Sequence, residues 1–216
     1  MFGQVAKMKS IEFLKEHCKF NEPTDCYIII AISRKKDTPE ITNSTEIVFR
    51  DVVKSVDEIE KKYLKLKACI KNYKDIDGKH YPFYLYIMLN PANARKATIE
   101  LLSRITGWLD REQIDKQVNE HYKRTYAEFY SCLMVPKCRG SEKWFMVDYD
   151  DSDRKKAKLF VQELLKFTSI ELIQKTRHGY HIKCKPFDRR LFKFNAPYEI
   201  KTDSLMFVEY IKNGKD

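Results

Sequence analysis

Apolar residues change their period several times along the chain, and each change marks an element. Residues 26–32 (CYIIIAI) form an unbroken β-branched run of strand length, and the polar stretch after it, with Pro39, reads as a loop over 33–45. Residues 46–53 resume as a strand. Ser55 followed three positions later by Glu58 is a capping-box pattern, which predicts a helix whose apolar face is Val56, Ile59, Tyr63, Leu66, Ile70 and Tyr73. Residues 81–89 form an aromatic strand stopped by Asn90-Pro91, where Asn can cap a helix and Pro can take its first position. That helix runs to about Trp108. Asp110 opens another, because Ile114, Val118, Tyr122, Tyr126, Phe129 and Leu133 recur at intervals of three or four. From residue 143 the pattern becomes strand (143–149), helix (152–167), strand (170–175), tight turn, strand (180–185) and a terminal strand near 205–211. This predicts an α+β chain: a mixed α/β part over 1–142, then a small antiparallel β-α-β-β sheet over 143–216 with helices on one face, all in one domain.

Composition narrows the class. The chain has 216 residues, 43% of them hydrophobic, which suits a real core, since chains of this size bury roughly 70% of their unfolded surface. Global disorder is excluded on that ground. No apolar run approaches the ~20 residues of a membrane-spanning helix. Lys7, Lys9, Glu12, Lys15 and Glu16 interrupt the first 19 residues, so no secretory signal is expected and the cytoplasm is the expected setting. Six scattered cysteines without a C-x-x-C pair give no support to a zinc ribbon or a disulfide framework. The net charge of +10 favours polyphosphate or nucleic-acid partners, although it would serve solubility equally well if the basic residues were dispersed.

The sharpest chemical signal is Trp144-Phe145-Met146-Val147-Asp148-Tyr149-Asp150, an apolar strand ending in two acids one residue apart. Alternate residues of a strand share a face at about 6.6 Å between Cα atoms, so Asp148 and Asp150 point the same way. Carboxylates so placed can share a hard divalent cation, Mg2+ or Mn2+, with phosphate oxygens. Asp151 or Ser152 is expected to cap the next helix, whose apolar stripe includes Phe160 and Leu164. Asp-rich strand ends also occur as plain turns, and acid-x-acid endings occur in metal-dependent glycosyltransferases and nucleases. A second signal follows about thirty residues later. Gly179 is expected to supply the positive φ of a short turn, which starts a strand carrying His181, Lys183 and Lys185 on one face. Between residues 171 and 195, seven Lys or Arg, Arg177 among them, face two acids, Glu171 and Asp188. A row of cations beside paired acids is what a triphosphate requires. His178, in the turn, ranks below His181. Weaker candidates are the aromatic and basic groups Tyr122-Lys123-Arg124-Tyr126 and Phe187-Arg189-Arg190-Phe192 for a nucleic-acid strand, and Asn90, Arg95 and Lys96 for an anion.

An apolar strand ending Asp-x-Asp, then a helix and a strand, then a small residue two places before a histidine, resembles the archaeo-eukaryotic primase superfamily. The resemblance spans about residues 143–211, with Asp148 and Asp150 at the first motif and Gly179-Tyr180-His181 at the second. It implies an RRM-like β-α-β-β core sheet, catalytic metal at the two acids, and phosphate contacts from His181, joined by Lys183, Lys185 and Arg177. The family's third element, an acid after an apolar residue on a later strand, matches Val208-Glu209, with Asp203 as the other candidate ligand. It further implies a nucleoside triphosphate, a single-stranded DNA or RNA template, and a helicase or other replication partner. The compact size is similar to that of small phage and mobile-element replication proteins. A non-catalytic nucleic-acid-binding protein and a metal-dependent nuclease are the alternatives.

Overall fold

The computed structural model describes residues 9–34, 46–111 and 118–212. Residues 35–45 of the expected loop and Ile114 of the expected helix lie outside the described residues. The fold is α+β, built on two antiparallel sheets. The first contains β1 (Asp25–Ser33), β2 (Ile47–Val53), β3 (Phe83–Met88) and β9 (Leu205–Ile211) in the order β2-β1-β3-β9, and the two-residue β4 (Ala92–Asn93) pairs with β1. In the second, β5 (Phe145–Tyr149), β6 (Ile170–Lys175), β7 (Tyr180–Cys184) and β8 (Tyr198–Lys201) stand in the order β6-β7-β5-β8.

Two of these assignments differ from the sequence reading. The terminal strand near 205–211 does not extend the second sheet. It returns to β3 of the first, so the chain does not divide cleanly at residue 143. Its place beside β5 is taken by the four-residue β8, which the hydrophobic pattern did not announce. Strand partners are chosen by tertiary packing, whereas alternation reports only that a segment is half-buried.

Helices α1 (Ser10–His17) and α2 (Glu58–Asn72) cover one face of the first sheet, closing a core with Tyr27, Ile29, Leu85 and Ile87. Helix α6 (Arg154–Leu164) covers the second sheet, where Ala157, Phe160, Val161 and Leu164 pack on Val147, Tyr149, Tyr180 and Ile182. Burial of each large apolar side chain there is worth about 2 kcal/mol. Helices α3 (Ala94–Leu109), α4 (Val118–Lys123) and α5 (Thr125–Met134), with a 3-10 turn at Pro136–Cys138, complete the described elements. Among the described residues no helix is long and apolar enough to cross a membrane.

Several helix starts are shifted by side chains that compete for backbone amides. Glu58 accepts from Lys54 N, and the second helix begins at Glu58 rather than Ser55. Asn93, not Asn90, caps α3 by accepting from Lys96 N at 3.0 Å. Asn90 is buried instead, accepting from Trp144 N and donating to the Trp144 and Thr202 carbonyls, which fastens the start of β5 to the segment after β8. Asp153 caps α6 through Lys155 N and Lys156 N, while Asp151 holds Asp153 N and Lys156 Nζ.

Candidate functional site

The inner face of the second sheet meets β9, the edge strand of the first. Gln174 Nε2 donates to Val208 O at 3.1 Å, and Phe207 N donates to His181 Nδ1 at 3.1 Å. Side chains of one sheet thus satisfy the exposed backbone edge of the other, an edge that would otherwise invite pairing with another chain. Beside this junction lies an open hollow of about 480 Å3, into which Asp148, Asp150 and His181 all face.

Local sequence explains the convergence. Asp148 and His181 are direct cross-strand partners on β5 and β7, and Asp150 follows at the end of β5, exposed. Gly179 holds the β6–β7 turn against that end. Its φ is not positive, contrary to expectation. Its requirement is steric, because a Cβ there would stand 1.8 Å from Tyr149 O, and only glycine lets the two backbones come so close.

His181 Nδ1 accepts the Phe207 amide, so its proton sits on Nε2, which faces Asp148 Oδ1 at 3.4 Å. The other Asp148 oxygen accepts from Lys201 Nζ at 2.8 Å. Burial opposes ionisation of Asp148, but hydrogen bonds from His181 and Lys201, together with the Lys201 charge, prevail and bring its pKa down to about 2. Asp148 is therefore a carboxylate at neutral pH. Burial likewise opposes the charge on Lys201, and the Asp148 and Glu199 carboxylates raise its pKa despite it. Arg177 reaches across the hollow to donate to the Tyr84 hydroxyl at 3.0 Å, and His178 also lines the space.

Other expected site residues lie elsewhere. Lys183 is fully buried, with Nζ donating to His17 O at 3.2 Å, 3.5 Å from Glu171 and 4.5 Å above the Trp144 ring. Lys185 lies over Trp144 at 3.8 Å and beside Glu142. Neither belongs to the hollow. Asp203 is engaged by Arg139 through Nε and Nη2, with a shortest contact of 2.7 Å. Glu209 accepts from Ser10 and Tyr63 and pairs with Lys67.

The Glu209 outcome has a specific cause. A β-bulge interrupts the β3–β9 register, so Leu85 faces Glu209 while Tyr86 faces Phe207, and Val208 is the extra residue. Strict alternation would keep Glu209 on the face of Phe207. The bulge turns it to the opposite face, toward α1 and α2. Of the weaker basic and aromatic groups, Phe192 is buried in the second core, Arg190 pairs with Asp188, Tyr122 packs on Trp108, and Tyr126 is exposed.

Sequence reasoning missed Lys201, Arg34, Tyr84, Tyr86 and Phe207, all of which line the hollow. The rings were signalled by the alternation of Tyr84 and Tyr86 with Phe83, Leu85 and Ile87. Lys201 lay in a strand too short to read.

Among the described residues no group of three or more His, Cys, Asp or Glu is placed to hold a metal ion. The two carboxylates do not form an all-protein cage. The hollow thus offers an ionised Asp148 with Asp150 beside it, a histidine with its Nε2 proton directed inward, and the cationic side chains of Arg34, Arg177 and Lys201. Comparison with protein-family profiles, with curated proteins and with solved structures finds no match to this chain.

Proposed function

We propose that the protein is a metal-dependent nucleotidyltransferase of primase-like type, which binds a nucleoside triphosphate in the hollow and extends a strand on a single-stranded template. The observation that carries this reading is the meeting of Asp148, Asp150 and His181 at one open space of mononucleotide size. Asp148 and Asp150 hold the divalent cation, which neutralises phosphate charge when bound. His181 Nε2, Lys201 and Arg177 donate to phosphate oxygens through charge-assisted hydrogen bonds. The second sheet adds support. Its order β6-β7-β5-β8, with α6 joining β5 to β6 and β7 standing between those two strands, supports reading it as a split βαβ sheet of RRM-like type.

The test incubates the protein with a labelled primed single-stranded template, nucleoside triphosphates and magnesium or manganese. Extension is expected, and both Asp148→Ala and Asp150→Ala are expected to lower it at least about a hundredfold, with the fold preserved. Full activity in either variant overturns the mechanism. His181→Ala is expected to weaken nucleotide binding about tenfold, the usual scale for one charged hydrogen bond.

A second reading is favoured by one observation, the Lys201 ammonium seated on Asp148 at 2.8 Å and on Glu199 at 3.1 Å, where it neutralises the carboxylates that a metal would need. In that reading the hollow binds nucleic acid without chemistry. Binding would then be salt-sensitive, indifferent to magnesium and unaffected by loss of both aspartates. Cleavage of the template in the same incubation would instead identify a nuclease.

A further inference from the structure

The hollow has two chemically different sides. The second sheet and its β6–β7 turn supply Asp148, Asp150, Arg177, His181 and Lys201. The first sheet supplies rings. Tyr86 on β3 stands directly opposite Phe207 on β9, their centroids 6.0 Å apart and their planes at 72°. The Arg34 guanidinium lies 5.7 Å from the Tyr86 ring, and Tyr84 stands two residues away on the same face.

The bulge at Val208 fixes this arrangement, because it keeps Phe207 opposite Tyr86 while sending Glu209 to the other face. The backbone amide of Phe207 also holds His181 Nδ1 at 3.1 Å. One residue therefore contributes a ring to the aromatic side and orients the imidazole of the charged side. That bond, with Gln174 Nε2 on Val208 O and Arg177 on the Tyr84 hydroxyl, ties the two sides together.

We propose that the aromatic side is a base platform. The base of a nucleoside triphosphate lies against Tyr86 and Phe207, and its phosphates reach across the hollow to His181, Lys201 and Arg177. Stacking on a ring is tolerant of base identity, since every base has a π face, so the platform accepts purines and pyrimidines alike. This rests on the nucleotide-binding part of the function proposed above and not on the transfer step.

The test is titration calorimetry in magnesium with ATP, CTP and inorganic tripolyphosphate as probes. Wild type is expected to bind both nucleotides about tenfold more tightly than tripolyphosphate, the scale of one stacked base. Tyr86→Leu and Phe207→Leu, on separate strands, are each expected to weaken ATP and CTP about tenfold and to leave tripolyphosphate binding unchanged, which also verifies that the variants fold. Tyr86→Phe, which keeps the ring, is expected to match wild type. Equal weakening for tripolyphosphate, ATP binding unchanged by both leucine variants, or tripolyphosphate bound as tightly as ATP overturns the platform. Primer extension separates this from the functional reading. Binding as expected with no extension removes the transfer and leaves the platform, whereas extension with an unchanged nucleotide KM in both leucine variants removes the platform and leaves the transfer.

Discussion

His181 and Lys183 sit two residues apart on one face of β7, yet they inhabit different environments. His181 opens onto the hollow, its donor nitrogen 3.4 Å from an ionised aspartate. Lys183 is sealed between the end of α1 and Trp144, its side chain 0% exposed. The strand period places both on one face, but what packs opposite decides which part of that face meets solvent. Opposite His181 the Phe207 amide of β9 holds Nδ1 and leaves the Nε2 edge of a largely buried ring toward the hollow; opposite Lys183 the carbonyl of His17 closes the space altogether. Compensation differs as well. Asp148 and Lys201 neutralise one another at 2.8 Å, whereas Lys183 meets Glu171 at 3.5 Å, a carbonyl and a ring, with Glu142 acting from farther off. Burial consequently pulls the Lys183 pKa down, with Glu171 offsetting part of the effect.

The most damaging expected change is Gly179→Ala, because the added methyl would press on the Tyr149 backbone, which has no rotamer to yield. A loss of about 3 kcal/mol in urea unfolding is expected from overpacking of this kind, together with lowered nucleotide binding as the turn moves away from Asp150. Wild-type stability in this variant would show that the turn is free to shift, and the contrast between the two ends of β7 would weaken. Next comes Lys183. Both Lys183→Ala and Lys183→Met leave the His17 carbonyl without its donor, but Lys183→Ala also leaves a void and is expected to cost about 3 kcal/mol, whereas Lys183→Met keeps the volume, removes a poorly compensated charge and is expected to stay within about 1 kcal/mol of wild type. Both should bind nucleotide normally. A nucleotide defect in Lys183→Met would sink the assignment of this lysine to the interior.

How much of this was legible in the sequence depends on how local each signal is. The Asp148 and Asp150 pair, the turn at Gly179 and the placement of His181 follow from alternation within single strands and a turn, and the structure brings these residues together. Lys201 was hidden because β8 is four residues long and its partner β5 lies about fifty residues earlier. Glu209 was misplaced because a bulge reverses alternation without leaving a mark in the hydrophobic pattern. The return of β9 to β3 joins strands more than a hundred residues apart, and no periodicity records such a pairing.

A smaller effect concerns pH. His17 is buried, its Nε2 donating to Met88 O, and burial together with nearby Lys183 lowers its pKa from 6.5 to about 3. Between those values the unfolded chain binds a proton that the folded chain refuses, so stability is complete above pH 6.5 and falls as pH drops toward 3. The expected loss by pH 5 is about 2 kcal/mol. Asp148, with its pKa lowered from 3.8, adds its own loss only below about pH 4. Urea unfolding at pH 7 and pH 5 measures the difference, and His17→Gln, which retains a donor but does not titrate, should flatten it. An unchanged slope in that variant would place the sensitive group elsewhere.

The smallest effect is expected at Glu209, and it bears most directly on the bulge. Ser10 and Tyr63 donate to separate Glu209 oxygens, so Glu209→Gln keeps an acceptor for one hydroxyl, meets the other with an amide N–H that the hydroxyl can rotate to accept, and loses the half-exposed pairing with Lys67; a stability change of about 1 kcal/mol is expected. Because Glu209 faces α1 and α2, metal-dependent activity should be unchanged, in contrast to Asp148→Ala. Were Glu209→Gln to abolish activity while unfolding normally, the carboxylate would have to reach the hollow in the working protein. That would require β9 to slip past the bulge by one residue, carrying Phe207 off Tyr86 and releasing His181 Nδ1. The aromatic and charged sides of the hollow would then lose their common anchor, so this near-neutral substitution tests the geometry on which both depend.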